Sequence, residues 1–325
     1  MTDWTQRPAS VVALRSGGAD RPEVVAVVDL GSTAVRLMLA RIVPKAGYHV
    51  LVQVRVPTRL GGGAPGTLPR VAIDETLRAV HRFFARYSPN GRGPRIIARA
   101  TSAVRDAGNR ERLLDPLRRD EGIDVQVLSA RDEARLGVDA ALDSLSFSNG
   151  LVVDLGGASL QLSRVRRRKV VSLASLSLGS VRTTQRFVRH NPPTPRELRA
   201  LRGEIRTQLT VGLPPAARGE IVVGLGGTVR TLAGIHLRAH SDRTRRHGLR
   251  LHQSDVTAVR ERLEGLSQRK RRRIRGLKTE RVDIILAGVI VIEEVMVFGG
   301  YLTLAVCTRG IRDAILMRET FGRRG

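Results

Sequence analysis

Two short stretches carry the residue types for phosphate chemistry: Asp29-Leu30-Gly31-Ser32-Thr33 and Asp154-Leu155-Gly156-Gly157-Ala158-Ser159. They stand 125 residues apart, and the run Val27–Gly31 reappears unchanged as Val152–Gly156. A glycine just past an apolar run lets the backbone turn with positive φ. Successive N–H groups in such a turn form a nest for phosphate oxygens. An aspartate at the end of the run can hold a hydrated Mg²⁺, which keeps most of its waters and takes one or two carboxylates. Either turn alone reads as an ordinary hairpin with a capping aspartate. The matched pair points to two similar domains whose turns face each other across a cleft and clamp a phosphate chain.

The elements that hold these turns follow from periodicity. Each copy begins with an apolar run fit for a buried strand and continues, after the turn, into an alternating run. Each then crosses a polar turn (Pro44–Gly47, Arg166–Lys169) into a third β-rich run, Tyr48–Val56 or Val170–Leu176. Helical spacing marks Val71–Tyr87, and Arg95–Arg99 and Ile123–Leu128 read as short strands. Ser129–Leu142 reads as a helix, and Glu220–Gly234 as a strand, a Gly-rich turn and a helix. The order βββαβαβα, loosely repeated, predicts an α/β fold with mixed sheets. The expected domains are 23–145 and 146–325, after a loose polar tail at 1–22, with the last helix free to pack back on the first domain.

Bulk properties narrow the class. At 325 residues, two domains each have room for a core. A single cysteine, Cys307, excludes a disulfide framework and a Cys-rich zinc site and suits a reducing cytosol. Met1–Gly18 lacks the pattern of a signal peptide, and Ile284–Phe298 is too short to span a bilayer and is broken by Glu293 and Glu294. The expectation is a soluble cytoplasmic protein with no membrane association. The net charge of +26 comes almost wholly from arginine, because lysine occurs only four times. Arginine forks match phosphate oxygens, so an anionic partner is favoured over a neutral one. The arginines of the second half, Arg269–Arg273 among them, belong to this basic excess. Nucleic-acid binding beyond non-specific attraction is not expected, since neither a reading helix nor a stacking platform accompanies the charge.

The motifs, taken together, resemble the exopolyphosphatase/guanosine pentaphosphate phosphatase family, within the actin–hexokinase–Hsp70 superfamily. Those that carry the resemblance include Asp29–Leu37, Ala100–Asn109, Ser129–Gly137, Val152–Leu162, Val223–Ala233, Glu280–Glu293 and Arg309–Met317, in the family's order. The resemblance implies the short form built of two ribonuclease-H-like domains. It also implies hydrolysis of a terminal phosphoanhydride, in inorganic polyphosphate or in pppGpp, with Mg²⁺ (Mn²⁺ the alternative) as cofactor. It further implies a polyanion path in the second half, where Arg269–Arg273 lie. Glu133 would be the general base, and a carboxylate on a first helical turn beside the cleft can orient and deprotonate a water. A favourable charge at a helix N-terminus is the plain alternative for it. Arg105 would contact the transferred phosphoryl group, its alternative being a surface pair with Asp106.

By the same resemblance Asp29 and Asp154 would hold the metal. Ser32, Thr33, Gly156, Gly157, Ala158 and Ser159 would face phosphate. Gly226, Gly227 and Thr228 form the turn at which nucleotide-binding relatives hold adenosine, and tight strand–helix packing accounts for them equally well. The sequence departs from the family in both loops. Thr33-Ala34 stands for Asn-Ser, and Ala158-Ser159-Leu160-Gln161 for Gly-Ser-Thr-Glu. Gln161 thus replaces a glutamate expected to help bind metal or activate water. A non-catalytic sensor of polyphosphate or alarmones is therefore the alternative to the enzyme. Polyphosphate against pppGpp, and monomer against homodimer, stay open.

Overall fold

Val25–Val28 and Leu30 are fully buried, as a valine-rich apolar run between two neighbouring strands requires. This run is the centre of the first of two compact units in the computed structural model, which describes residues 22–87, 93–213, 215–217, 219–240 and 245–322. The expected tail, apart from Pro22, lies outside the described residues. The first unit contains β1 (Glu23–Leu30), β2 (Val35–Val43), β3 (Gly47–Val56), α1 (Arg70–Tyr87), β4 (Arg95–Ala100), α2 (Ser102–Arg105), α3 (Glu111–Glu121) and β5 (Val125–Val127). Its sheet runs β3-β2-β1-β4-β5, with the three-strand meander antiparallel and β1-β4-β5 parallel.

The second unit begins with α4 (Ala130–Ser144), followed by β6 (Gly150–Leu155), β7 (Leu160–Arg166), β8 (Lys169–Leu176), α5 (Ser180–Phe187) and α6 (Pro195–Gly212). It continues with β9 (Ile221–Leu225), α7 (Gly226–Ala239), β10 (Arg250–His252), α8 (Gln253–Glu264), α9 (Gln268–Arg271), α10 (Ile285–Gly299) and β11 (Thr303–Val306). Its sheet runs β10-β11-β9-β6-β7-β8. Strands β8-β7-β6-β9 follow the same path as β3-β2-β1-β4, which is the repeat seen in the sequence. The fold is therefore α/β with two mixed sheets.

The division differs from the expected boundary after residue 145. Helix α4 packs on β6, β7 and β8, so it belongs to the second unit, and the chain passes between units at Ser129/Ala130. The last helix, α11 (Ile311–Phe321), packs on β2 and β3 of the first unit. The apolar stretch near 284–298 forms α10, which is buried except at Val297 and Phe298. A helix apolar on every side belongs in a core. Among the described residues, no helix is long and apolar enough to cross a membrane.

Candidate active site

In the first unit, Asp29 ends β1 directly opposite Arg36 on β2. Their side chains form an ion pair at 3.1 Å, with Asp29 only 5% exposed. A second guanidinium, Arg312 of α11, adds to this field: burial lowers its pKa, while Asp29 acts to raise it. The turn between the strands closes through Gly31 N–H donating to Ala34 C=O at 3.2 Å. Behind it, Gly61 N–H binds Ser32 C=O at 2.8 Å and Arg59 N–H binds Thr33 C=O at 3.3 Å. The turn's carbonyls are thus tied down. Among the described residues, the N–H groups of Ser32, Thr33 and Ala34 meet no acceptor. Ser32 Oγ lies 3.5 Å from Ser102 Oγ, at the start of α2, whose last residue is Arg105. Arg105 donates to Leu128 C=O at 3.0 Å and sits 3.4 Å from Asp106, the pair that is the alternative to phosphate contact.

The second unit repeats this construction with different side chains. Gly156 N–H donates to Ser159 C=O at 3.0 Å. The start of α5 ties the loop from behind, Ser180 N–H to Gly156 C=O at 3.0 Å and Val181 N–H to Gly157 C=O at 2.8 Å. Gly179 must be glycine there, because a Cβ would overlap the backbone of Ala158. Among the described residues, Gly157, Ala158 and Ser159 are left with N–H groups that meet no acceptor. Three such amides in a row make a preorganised anion cradle. Gly31 and Gly156 do not reach it through positive φ, as expected from sequence, because neither adopts that conformation. At Gly31 a Cβ would instead crowd Arg36 Nη1 at 3.0 Å and Ala34 C=O at 3.2 Å.

Opposite Asp154 in the β6–β7 pair is Gln161, 2% exposed, whose Nε2 donates to Ser159 Oγ at 2.8 Å. Glu133 lies on the first turn of α4, buried at 6% exposure. Gly137 follows one helical turn later on the same face. A Cβ on Gly137 would lie 3.5 Å from Asp154 Oδ2. From the other side, a Cβ on Gly226 would lie 3.2 Å from Asp154 Oδ1. One unit therefore collects the helix carrying Glu133, Asp154, the 156–159 cradle, Gln161 and the Gly226 turn.

That last turn is tightly packed. Gly226 has φ +94°, and a Cβ on it would overlap Leu155 C=O; one on Gly227 would overlap the buried guanidinium of Arg281. Thr228 Oγ1 is buried with no hydrogen-bond partner among the described residues. Arg36, Gly137, Arg281 and Arg312 were not singled out from sequence. The repeat itself could have flagged Arg36, because an offset of 125 aligns it with Gln161. The arginine run expected along a polyanion path divides. Arg271 is 1% exposed, its Nε donates to Leu263 C=O at 3.0 Å, and burial lowers its pKa to about 10, so it is a core residue.

A donor set for a metal can be tested against this geometry. Asp29 is neutralised by Arg36, and a dication beside two guanidinium groups would be repelled. Across its strand pair Asp154 faces the neutral amide of Gln161. The ion pair with Arg36 argues against the expected metal role at Asp29. No group of three histidine, cysteine or carboxylate side chains converges among the described residues.

Comparison with known proteins places this architecture. The family model described as the Ppx/GppA phosphatase family matches residues 39–320. The chain is 27% identical to exopolyphosphatase 1 of Mycobacterium leprae over 300 residues, covering 90% of this chain and 88% of the relative. It is 30% identical to exopolyphosphatase 2 of Mycobacterium tuberculosis over 287 residues, covering 83% and 89%. The crystal structure of the Aquifex aeolicus family member superposes with a TM-score of 0.76 at 27% identity, over 92% of this chain and 98% of that one. The fold is thus that of actin-like phosphatases with two α/β units. The chain belongs to the Ppx/GppA phosphatase family, and is a hydrolase of that type.

Proposed function

We propose that the protein is an Mg²⁺-dependent exopolyphosphatase, releasing orthophosphate from the end of inorganic polyphosphate. The observation that carries this reading is the cradle of Gly157, Ala158 and Ser159, held from behind by α5 and flanked by Asp154 and the helix of Glu133. The cradle binds the oxygens of the terminal phosphoryl group. Glu133 accepts a proton from a water, whose oxygen attacks phosphorus in line. The P–O bond to the rest of the chain breaks, and the shortened chain leaves with its charge on the departing oxygen. The first unit carries its own set of phosphate-suited groups, Arg105 and the amides of Ser32, Thr33 and Ala34. Asp154 would hold the metal, which would supply charge neutralisation.

The test is phosphate release from long-chain polyphosphate and from pppGpp, each with Mg²⁺ and with chelator. The expected result is Mg²⁺-dependent release, faster from polyphosphate. Release from pppGpp alone would assign the same chemistry to a nucleotide substrate, and release from neither would overturn the enzyme. Gln161 favours one further reading, because a neutral amide opposite Asp154 is a weaker metal ligand than a carboxylate. Tight polyphosphate binding without turnover would make the protein a sensor.

A further inference from the structure

Strand β8 ends the six-stranded sheet, so among the described residues one of its edges meets no neighbouring strand. Beside it lies a cavity of about 450 Å³, lined by β8 residues 170–175 and by Ala130, Arg131, Ala134 and Arg135 of α4. Ser172–Ser175 pair regularly with β7, so their side chains alternate between the two faces of the sheet. A cavity on one face would touch every second residue. Touching all four places it along the strand's outer edge, where backbone N–H and C=O groups point outward. The strand is eight residues long, and past Lys169 it has neither charge nor proline, the devices that normally blunt a free edge. Val170 and Val171 are 38% and 55% exposed.

The opposite wall is cationic. Arg131 and Arg135 are exposed, four residues apart on α4, and among the described residues neither has a hydrogen-bond or ion-pair partner. Their spacing along the helix is about 6 Å, close to the roughly 7 Å between alternate side chains of a strand.

We propose that this edge docks an extended acidic segment of a partner protein, added as a strand beside β8 with alternate carboxylates on Arg131 and Arg135. Backbone pairing supplies the affinity, and the two arginines select acidic side chains. A phosphate chain would satisfy the arginines, but it has only acceptors and would set oxygen against the strand's carbonyls. A second copy of this chain would bring the same arginine pair into a protein already at +26.

The probe is a fluorescent, capped heptapeptide of alternating valine and glutamate, titrated against the full chain and read by anisotropy. Binding should saturate, and weaken by roughly tenfold or more (~1.4 kcal/mol) in the Arg131→Gln/Arg135→Gln double variant and when lysine replaces glutamate. Peptides N-methylated on odd or on even residues should separate, one set losing binding and the other keeping it, because only one peptide edge pairs with β8. Absent binding, or binding indifferent to both the arginines and N-methylation, overturns the proposal. Inorganic tripolyphosphate bound in an arginine-dependent way, with no peptide binding, would do so too and would make the groove an anion site.

Discussion

Asp29 and Arg36 face each other across β1–β2 and are paired at 3.1 Å, while the equivalent positions of the second unit are Asp154 and Gln161. One repeat has closed its carboxylate with a guanidinium. The other has placed a neutral amide there. In the proposed function the metal belongs to Asp154 of the second unit, and Gln161 limits its affinity.

Gln161→Glu should therefore raise metal-dependent phosphate release. In the absence of metal it sets a buried carboxylate opposite the half-buried Asp154, and like charges at that range disfavour folding. The expected signature is a lower Tm than wild type in chelator, recovered on adding Mg²⁺. A variant with unchanged Mg²⁺ dependence of both rate and Tm would remove Gln161 from the metal environment.

Helices α6 and α8 are fastened to α10 by a buried charge cluster. Glu294, 1% exposed, accepts from Arg202 and from Arg206 at 2.7 Å, and Glu293 accepts from Arg202 at 2.9 Å and Arg260 at 3.2 Å. Losing a buried ion-pair partner costs about 3–5 kcal/mol. Glu294→Ala should fall near the lower end, about 3 kcal/mol, because Arg206 is 56% exposed and can turn to water. Arg206→Ala should cost under about 1 kcal/mol, because Arg202 still neutralises the glutamate. Urea unfolding of the two variants gives the comparison, and equal losses would contradict it.

The start of α6 carries an acid-sensitive cap. Thr194 and Glu197 form a capping box, and hydrogen bonds from Thr194 N–H and the His190 ring hold the Glu197 carboxyl at about 2. A carboxyl lowered in the folded state contributes stability above its unfolded value of 4.5. That contribution is lost as pH falls through about 2. The gap in Tm between wild type and Glu197→Gln should therefore be full at pH 6 and shrink from about pH 4.5 downward. A gap that stays constant to pH 2.5 would mean that the carboxylate's charge is not what the cap uses.

Much of the fold was legible because it is written in periodicities. The duplicated Val-Val-Asp-Leu-Gly run and the alternating strands that follow it announced two sheets of related topology. The ownership of α4 was not legible. Its apolar positions say that one face is buried, but not whether the sheet beneath comes earlier or later in the chain. Charge was the least legible property. Arg271 sits in a run of basic residues that reads as solvated surface, yet it packs in the core on Leu263 C=O. The tying of both loops from behind, by Gly61 and by α5, also leaves no local sequence pattern, because it joins segments distant in the chain.

The central claim is that Glu133 acts as the base of a phosphatase rather than as a charge at a helix end. Single-turnover phosphate release from long-chain polyphosphate with Mg²⁺, comparing wild type with Glu133→Gln, tests it most directly. General-base catalysis is worth roughly 10²–10⁴-fold, whereas a lost helix-terminal charge costs about 0.3–1 kcal/mol of stability and no specific rate. The account predicts a fall in rate of at least about a hundredfold, with polyphosphate affinity and Tm nearly unchanged. A variant that hydrolyses within a fewfold of wild type would contradict it.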